Sequence, residues 1–283
     1  MRITAILAVV WLSCALAGAE PPVFFAMDNG TGAGRLPPEA QASMVKDLGF
    51  DGIGSNYTTP AALREMIEAL DEQELQLPAI YLGFDLDTEP LLGPSFADAL
   101  AQLHGRPCIL WVTIQSRTLR PSDPAGDARA AAALRALAEQ AADAGLRVAL
   151  YPHAGFWLEQ VEDAVRLARR VDHPALGVTF NLCHWLMTDG AELEARLEAA
   201  MPYLWVVTLN GADEGAKDWA RLIQPLDAGT FDTGRLLRLL RDQGYKGPVG
   251  LQHFGIPGDA RTNLQRSMNA WRRLHASTDG ATE

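Results

Sequence analysis

Short apolar runs in this sequence end, one after another, in side chains that can hydrogen-bond a hydroxyl. In order these are Asp28 and Asn29, Asn56 and Tyr57, Tyr81, Gln115, Tyr151-Pro152-His153, Asn181 and His184, Asn210, and Gln252-His253. Imidazole titrates close to neutral pH, so His153, His184 and His253 are the acid–base candidates. Tyr151 can protonate or polarise an oxygen. Asn181, Asn210 and Gln252 can hold hydroxyls or stabilise negative charge developing on a carbonyl oxygen, with Tyr81 and Gln115 beside them. Trp185, together with Trp157, Trp205, Trp219 and Phe254, offers aromatic faces that stack on the apolar face of a sugar ring. Convergent polar groups between aromatic walls describe a small-molecule pocket. Arg221 either forks onto a carboxylate or sugar hydroxyls or pairs with Asp218 or another nearby acid. Arg117 and Arg120 carry the same ambiguity. Each residue also has a plain alternative as a strand cap, a core aromatic or a structural hydrogen-bonding group.

Eight strands are expected to carry these residues: 23–27, 52–55, 79–82, 108–114, 147–151, 176–180, 204–209 and 248–252. Most are apolar throughout, as parallel strands buried on both faces are. Helical patterns follow at 38–48, 60–74, 95–104, 125–144, 158–171, 191–201, 233–243 and 260–274. Val161, Val165, Leu167 and Ala168 share one helical face, while Glu162, Asp163, Arg166 and Arg169 take the other. Gly49, Gly105, Gly145 and Gly244 stand where left-handed caps stop helices. Eight strand–helix units in series predict a single α/β domain, a (β/α)8 barrel with its active face at the C-terminal ends of the strands. Gly30-Thr31-Gly32-Ala33-Gly34 lacks a P-loop lysine and is followed by Pro37-Pro38, so it reads as a flexible first loop.

Composition narrows the partners. The chain of 283 residues has a formal charge of −11, which disfavours nucleic acid. Only Lys46, Lys217 and Lys246 are lysines, too few to mark a phosphate seat. Met1-Arg2, the apolar run 3–12 and Ala17-Gly18-Ala19 before Glu20 form a secretory signal peptide over 1–19. The mature chain, with no membrane span, is expected to be secreted or periplasmic; a lipid anchor on Cys14 is the lesser option, since Trp11 fits that signal poorly. The domain is expected over 20–276 and a flexible tail over 277–283. Cys108 opens one strand and Cys183 closes another, which reads as two buried thiols rather than a disulfide. Assembly as a homo-oligomer is left open.

Several segments together resemble a known family. Leu48-Gly49-Phe50-Asp51-Gly52-Ile53 is similar to the opening of the second strand in xylose isomerase-like TIM barrels, the sugar phosphate isomerase/epimerase superfamily. Asn181-Leu182-Cys183-His184 resembles its Asp-x-x-His after the sixth strand. Pro225-Leu226-Asp227-Ala228-Gly229, leading to Asp232, resembles its Leu-Gly-x-Gly-x-x-Asp loop. Gly244-Tyr245-Lys246-Gly247, followed by a strand ending in Gln252, resembles its Gly-Tyr-x-Gly run into a terminal glutamate.

The resemblance implies a divalent ion such as Mn²⁺, Mg²⁺, Zn²⁺ or Co²⁺, held by two glutamates, an aspartate and a histidine. In that alignment the fifth-strand glutamate falls on Tyr151, the sixth-strand aspartate on Asn181 and the last glutamate on Gln252. The seventh-strand histidine falls near 208–210, and the second-strand glutamate on Gly54. Only the accompanying histidines, His153 and His184, stand as expected. Hard cations favour carboxylate oxygens, so no metal ligand or cofactor is assigned. His153 and His184 without carboxylates also make a poor site for a softer ion such as Zn²⁺. What remains is proton removal beside a carbonyl: epimerisation, aldose–ketose isomerisation or elimination on a sugar or keto-sugar. The alternative is a carbohydrate-binding protein that has lost catalysis on the same fold.

Overall fold

The computed structural model of the protein describes residues 22–279. The expected signal peptide and Cys14 lie outside the described residues. Eight parallel strands close on one another in chain order: β1 Phe24–Met27, β2 Gly52–Asn56, β3 Ala79–Asp85, β4 Ile109–Gln115, β5 Arg147–Leu150, β6 Leu176–Asn181, β7 Leu204–Leu209 and β8 Val249–Leu251. Closure comes from β1 pairing with both β2 and β8, Phe25 opposite Gly52 on one side and Gly250 on the other. The expected (β/α)8 barrel is the fold.

The helices lie outside it: α1 Asp28–Thr31, α2 Pro38–Leu48, α3 Pro60–Glu72, α4 Pro94–Gln102, α5 Asp127–Asp143, α6 Val161–Val171, α7 Leu182–Thr188, α8 Leu193–Ala200, α9 Trp219–Leu222, α10 Thr233–Asp242 and α11 Ala260–Asp279. Proline in the first turn pre-sets the start of α2, α3 and α4. Gly49, at φ 85°, ends α2 in the left-handed region. On α6 the residues Val161, Ala164, Val165, Leu167, Ala168 and Val171 are buried, each large aliphatic contributing roughly 1.5–3 kcal/mol. The side chain of Asp163 caps the start of that helix, accepting from Gln160 N at 2.9 Å, and pairs with Arg166 at 2.6 Å. Arg166 also reaches Asp127 of α5 at 2.9 Å, which ties the two helices together.

Two expectations need correction. The first loop begins as the helical turn α1 with Asp28, Gly30 and Thr31 buried, not as a flexible segment. The reason is Asp28, whose carboxylate accepts Ser55 Oγ at 3.0 Å and Asn56 N at 2.6 Å, pinning the loop to the end of β2. The last helix runs to Asp279 where a tail was expected from 277. Among the described residues both cysteines are free and buried, burial pushing each thiol up to about 12. Among them, too, no helix is long and apolar enough to cross a membrane.

The barrel interior is filled by Phe25, Met27, Ala79, Ile109, Trp111, Ala149, Tyr151 and Val206. These rings fit because glycine faces them: a Cβ on Gly54 would stand 2.6 Å from Phe25 Cε2, one on Gly250 2.7 Å from Phe25 Cζ, and one on Gly177 2.4 Å from Trp205 Cδ2. Gly54 therefore leaves its space to two aromatic rings, and a glutamate there would drive a carboxylate into Phe25 and Trp111. Gly54→Ala is expected to lower stability by about 1–3 kcal/mol in urea unfolding, and Gly54→Glu to prevent folding. Wild-type stability in either variant would refute this packing.

Candidate active site

At the C-terminal mouth, β5 runs into Tyr151, Pro152 and His153, and β6 runs through Asn181 directly into α7, whose first turn carries His184. The loop after β5 is held by its own backbone: His153 N donates to Leu158 O at 2.9 Å and Leu158 N to Ile114 O at 3.0 Å. This brings the His153 and His184 rings to 4.0 Å between centroids. Phe156 stacks on His153 at 3.9 Å, and the edge of Trp219 meets His184 at 5.2 Å.

One residue sets the protonation of both rings. Ala154 N donates to His184 Nδ1 at 3.2 Å, so the neutral His184 carries its proton on Nε2. The Ala154 carbonyl can only accept, and it lies 3.0 Å from His153 Nδ1, so His153 carries its proton there and leaves a lone pair on Nε2. Burial pushes His153 below its ordinary value, opposed by that carbonyl. His184 is pushed well below by burial and by the neighbouring His153. The pair is thus neutral near pH 7, one Nε2 an acceptor and the other a donor. Neither Nε2 has a protein partner among the described residues.

Beneath the histidines the phenol of Tyr151 accepts from the Asn181 Nδ2 amide, and the Gln252 side chain lies close by. The rings of Tyr81 and Trp111 meet it edge-on at 5.2 and 5.3 Å. Burial raises the phenol well above its ordinary range, so it stays protonated. Both amides are fixed in orientation from behind. Asn181 Oδ1 accepts the Cys183 thiol at 3.2 Å and His184 N at 3.5 Å. Gln252 Oε1 accepts Asn29 Nδ2 at 2.6 Å and Phe254 N at 3.0 Å.

The structure therefore gathers Tyr151, His153, Asn181, His184 and Gln252, with Tyr81 at their edge. It does not gather all the residues the sequence suggested. His253 turns outward, its Nε2 2.8 Å from Ser267 Oγ of α11. Trp185 lies between Phe180 and Phe231 in the shell between strands and helices, with its indole N–H on Ala191 O. Arg221 pairs in the open with Asp213 at 2.9 Å, an acid other than Asp218. Asn210 is buried, and its Nδ2 is spent on Gly211 O and Leu222 O, both at 2.7 Å. Gln115 is exposed at the end of β4. Sequence reasoning missed the orienting roles of Asn29, Ala154 and Cys183. Asn29 had a signal, its position at a strand end; Ala154 acts through its backbone and had none.

A hard divalent ion does not suit this donor set. The amide oxygens of Asn181 and Gln252 are consumed, the phenol is neutral, and what faces inward are N–H and O–H donors. Among the described residues no three of His, Cys, Asp and Glu are grouped to hold a metal. The buried carboxylate of Asp28, next to Asn29 in the chain, is committed to Ser55 and Asn56, and burial raises it.

Burial and the nearby Arg266 push His253 down to about 4 from 6.5. As pH falls through 6.5 the unfolded chain takes up protons that the native state refuses. Native stability is therefore expected to drop between about pH 6.5 and 4, by roughly 3 kcal/mol from this residue. His253→Gln is expected to flatten the pH dependence of the urea midpoint in that window, and an unchanged slope would contradict the assignment.

Solved structures with the same architecture include 3-keto-D-glucoside 4-epimerase from E. coli, at 19% identity and TM-score 0.72, covering 89% of this chain and 99% of that one. D-allulose 3-epimerase from Methylomonas sp. aligns at 15% identity and TM-score 0.74, covering 90% and 98%. A probable 3-DHS dehydratase from Bacillus anthracis aligns at 14% identity and TM-score 0.72, covering 88% and 98%. No curated protein matches the sequence. The sequence profile described as xylose isomerase-like TIM barrel matches residues 42–274, and the chain belongs to that family.

Proposed function

We propose that the protein is an exported sugar-active enzyme that removes a proton from a carbon beside the carbonyl of a sugar or keto-sugar, without the family's usual divalent metal. The observation that carries the reading is the histidine pair with opposite tautomers on the two faces of Ala154. His153 Nε2 is the base: it takes the proton, and the C–H electron pair becomes the C=C of an enol while the carbonyl π pair moves to oxygen. His184 Nε2–H supplies the proton or hydrogen bond that this oxygen needs. Return of the proton to the opposite face gives an epimer, to the neighbouring carbon an isomer, and loss of a β-hydroxyl an elimination. The activities named for the solved relatives, two epimerases and a probable dehydratase, support this reaction class. The scarcity of lysine supports a neutral sugar over a sugar phosphate. The apolar segment 3–12 behind Arg2 supports export.

A second reading is a carbohydrate-binding protein without catalysis. Tyr151 is only 1% exposed, whereas Trp219 at 39% and Phe254 at 63% present aromatic surface that can hold a sugar by stacking.

The test is exchange of substrate hydrogen in D₂O across a panel of ketoses and keto-glycosides. Deuterium is expected at the carbon beside the carbonyl, unaffected by EDTA. His153→Ala and His184→Ala are each expected to slow exchange by about 10²–10⁴-fold. Because His153 must be neutral and its pKa is lowered, the rate is expected to hold from pH 7.5 to below 6.5 and to fall in more acidic buffer. Sugar binding without exchange throughout the panel would favour the second reading. Exchange abolished by chelation and restored by Mn²⁺ would refute the metal-free mechanism.

A further inference from the structure

Polar atoms without partners stand inside the barrel, two of them, the Thr179 and Thr208 hydroxyls, on the adjacent strands β6 and β7. Trp111 Nε1, Thr179 Oγ1, Thr208 Oγ1 and Asn210 Oδ1 are buried in fully covered residues and meet no hydrogen-bonding group among the described residues. The Tyr151 phenol accepts from Asn181 Nδ2, and its own O–H has no acceptor among the described residues. Register puts Thr179 and Thr208 on one face with Asn181, whose amide meets the Tyr151 phenol. Thr208 lies opposite Asn181 across β6 and β7, and Thr179 is two residues before Asn181 on the same side. Asn210 follows Thr208 by two. A Cβ on Gly250, the neighbour of Thr208 on β8, would reach Thr208 Cγ2 at 3.2 Å and Phe25 at 2.7 Å, which confirms that Thr208 points inward.

We propose that this face holds a seat for a neutral oxygen, taken by an ordered water in the free protein and by a hydroxyl or carbonyl oxygen of the ligand in the complex. Tyr151 O–H donates to that oxygen, and the Thr208 hydroxyl, free to rotate, donates to it or accepts from it. Asn29 is the positioning residue: by donating to Gln252 Oε1 it fixes that amide, so that the end left to face the mouth is its N–H group. A phenol that accepts from a neighbouring amide still has its own proton to place, and the seat gives the Tyr151 O–H an acceptor. The strand ends that meet here are those where the family resemblance expects ligands to a cation, so the seat exchanges a charged guest for a neutral one. The water part of the proposal stands on geometry alone; its occupation by a sugar oxygen rests on the function proposed above.

A crystal structure of the mature wild-type protein, grown with 10 mM MgCl₂ and then soaked with D-fructose or D-tagatose, tests both parts. An oxygen at hydrogen-bonding distance from Tyr151 and Thr208, with bonds too long for a cation, is expected in the unsoaked crystal. A full-occupancy cation there, or side chains packed with no room for an oxygen, overturns the proposal. Thr208→Val, which keeps the shape and removes the hydroxyl, is expected to lower Tm because the bound water loses a partner. A rise in Tm would mean that an unpaired hydroxyl had simply been removed, and equally overturns it. Asn29→Ala is expected to weaken binding of a responding sugar at least tenfold, with Asn29→Asp failing to rescue it and Asn29→Gln rescuing it in part; binding unchanged in Asn29→Ala removes the positioning role. Water in the seat with no hydrogen exchange on any sugar would leave the seat standing while the proposed enzyme falls.

Discussion

Two side-chain amides can each aim either oxygen or nitrogen into the mouth of this barrel, and the direction they take governs the chemistry there. Asn181 spends its oxygen on the Cys183 thiol and the first turn of α7. Gln252 spends its oxygen on Asn29 and the Phe254 amide. With both oxygens bound behind, the amide groups left to face inward are N–H donors, and that of Asn181 meets a buried, protonated phenol. A carboxylate in either position would bring charge and acceptors instead. The electrostatic character of the centre thus depends on hydrogen bonds made one layer further out.

That outer layer is built into elements that also hold the barrel together. Asn29 is in the helical turn α1, which Asp28 anchors to the end of β2. Asn181 is at once the last residue of β6 and the cap of α7, so the step from strand to helix and the orientation of the amide are one structural fact. Ala154 does the same for the histidines, its two backbone groups giving neighbouring rings opposite tautomers. Nothing in this arrangement needs a charged residue at the centre, which suits a core where an unpaired charge would be costly.

A buried polar group left without a partner would cost about 1–3 kcal/mol, and the oxygen proposed for the seat gives the Thr208 and Tyr151 hydroxyls theirs. Elsewhere the protein packs closely, with Gly54, Gly177 and Gly250 giving up their side-chain volume to Phe25, Trp111 and Trp205. Where the barrel is apolar it is filled to contact, and Thr179 and Thr208 bring hydroxyls to the face where Asn181 stands.

Much of this was legible before folding was considered. Mostly apolar runs of four to seven residues, glycines after amphipathic stretches and proline at helix starts are local signals, and local backbone preference is enough to place strands, helices and their parallel order. The sites at strand ends followed from that order, so Tyr151, His153, Asn181, His184 and Gln252 could be named together. Which way each side chain points could not. His253 stands beside Gln252 in sequence, but alternation along the strand sends it to Ser267 on α11 while Gln252 turns inward. Trp185 directly follows His184, and helical geometry buries it behind the barrel instead of beside the mouth. The tautomers of the histidine pair and the orientation of the amides depend on contacts between residues up to 223 positions apart, and only the closed barrel brings those partners within reach of a hydrogen bond.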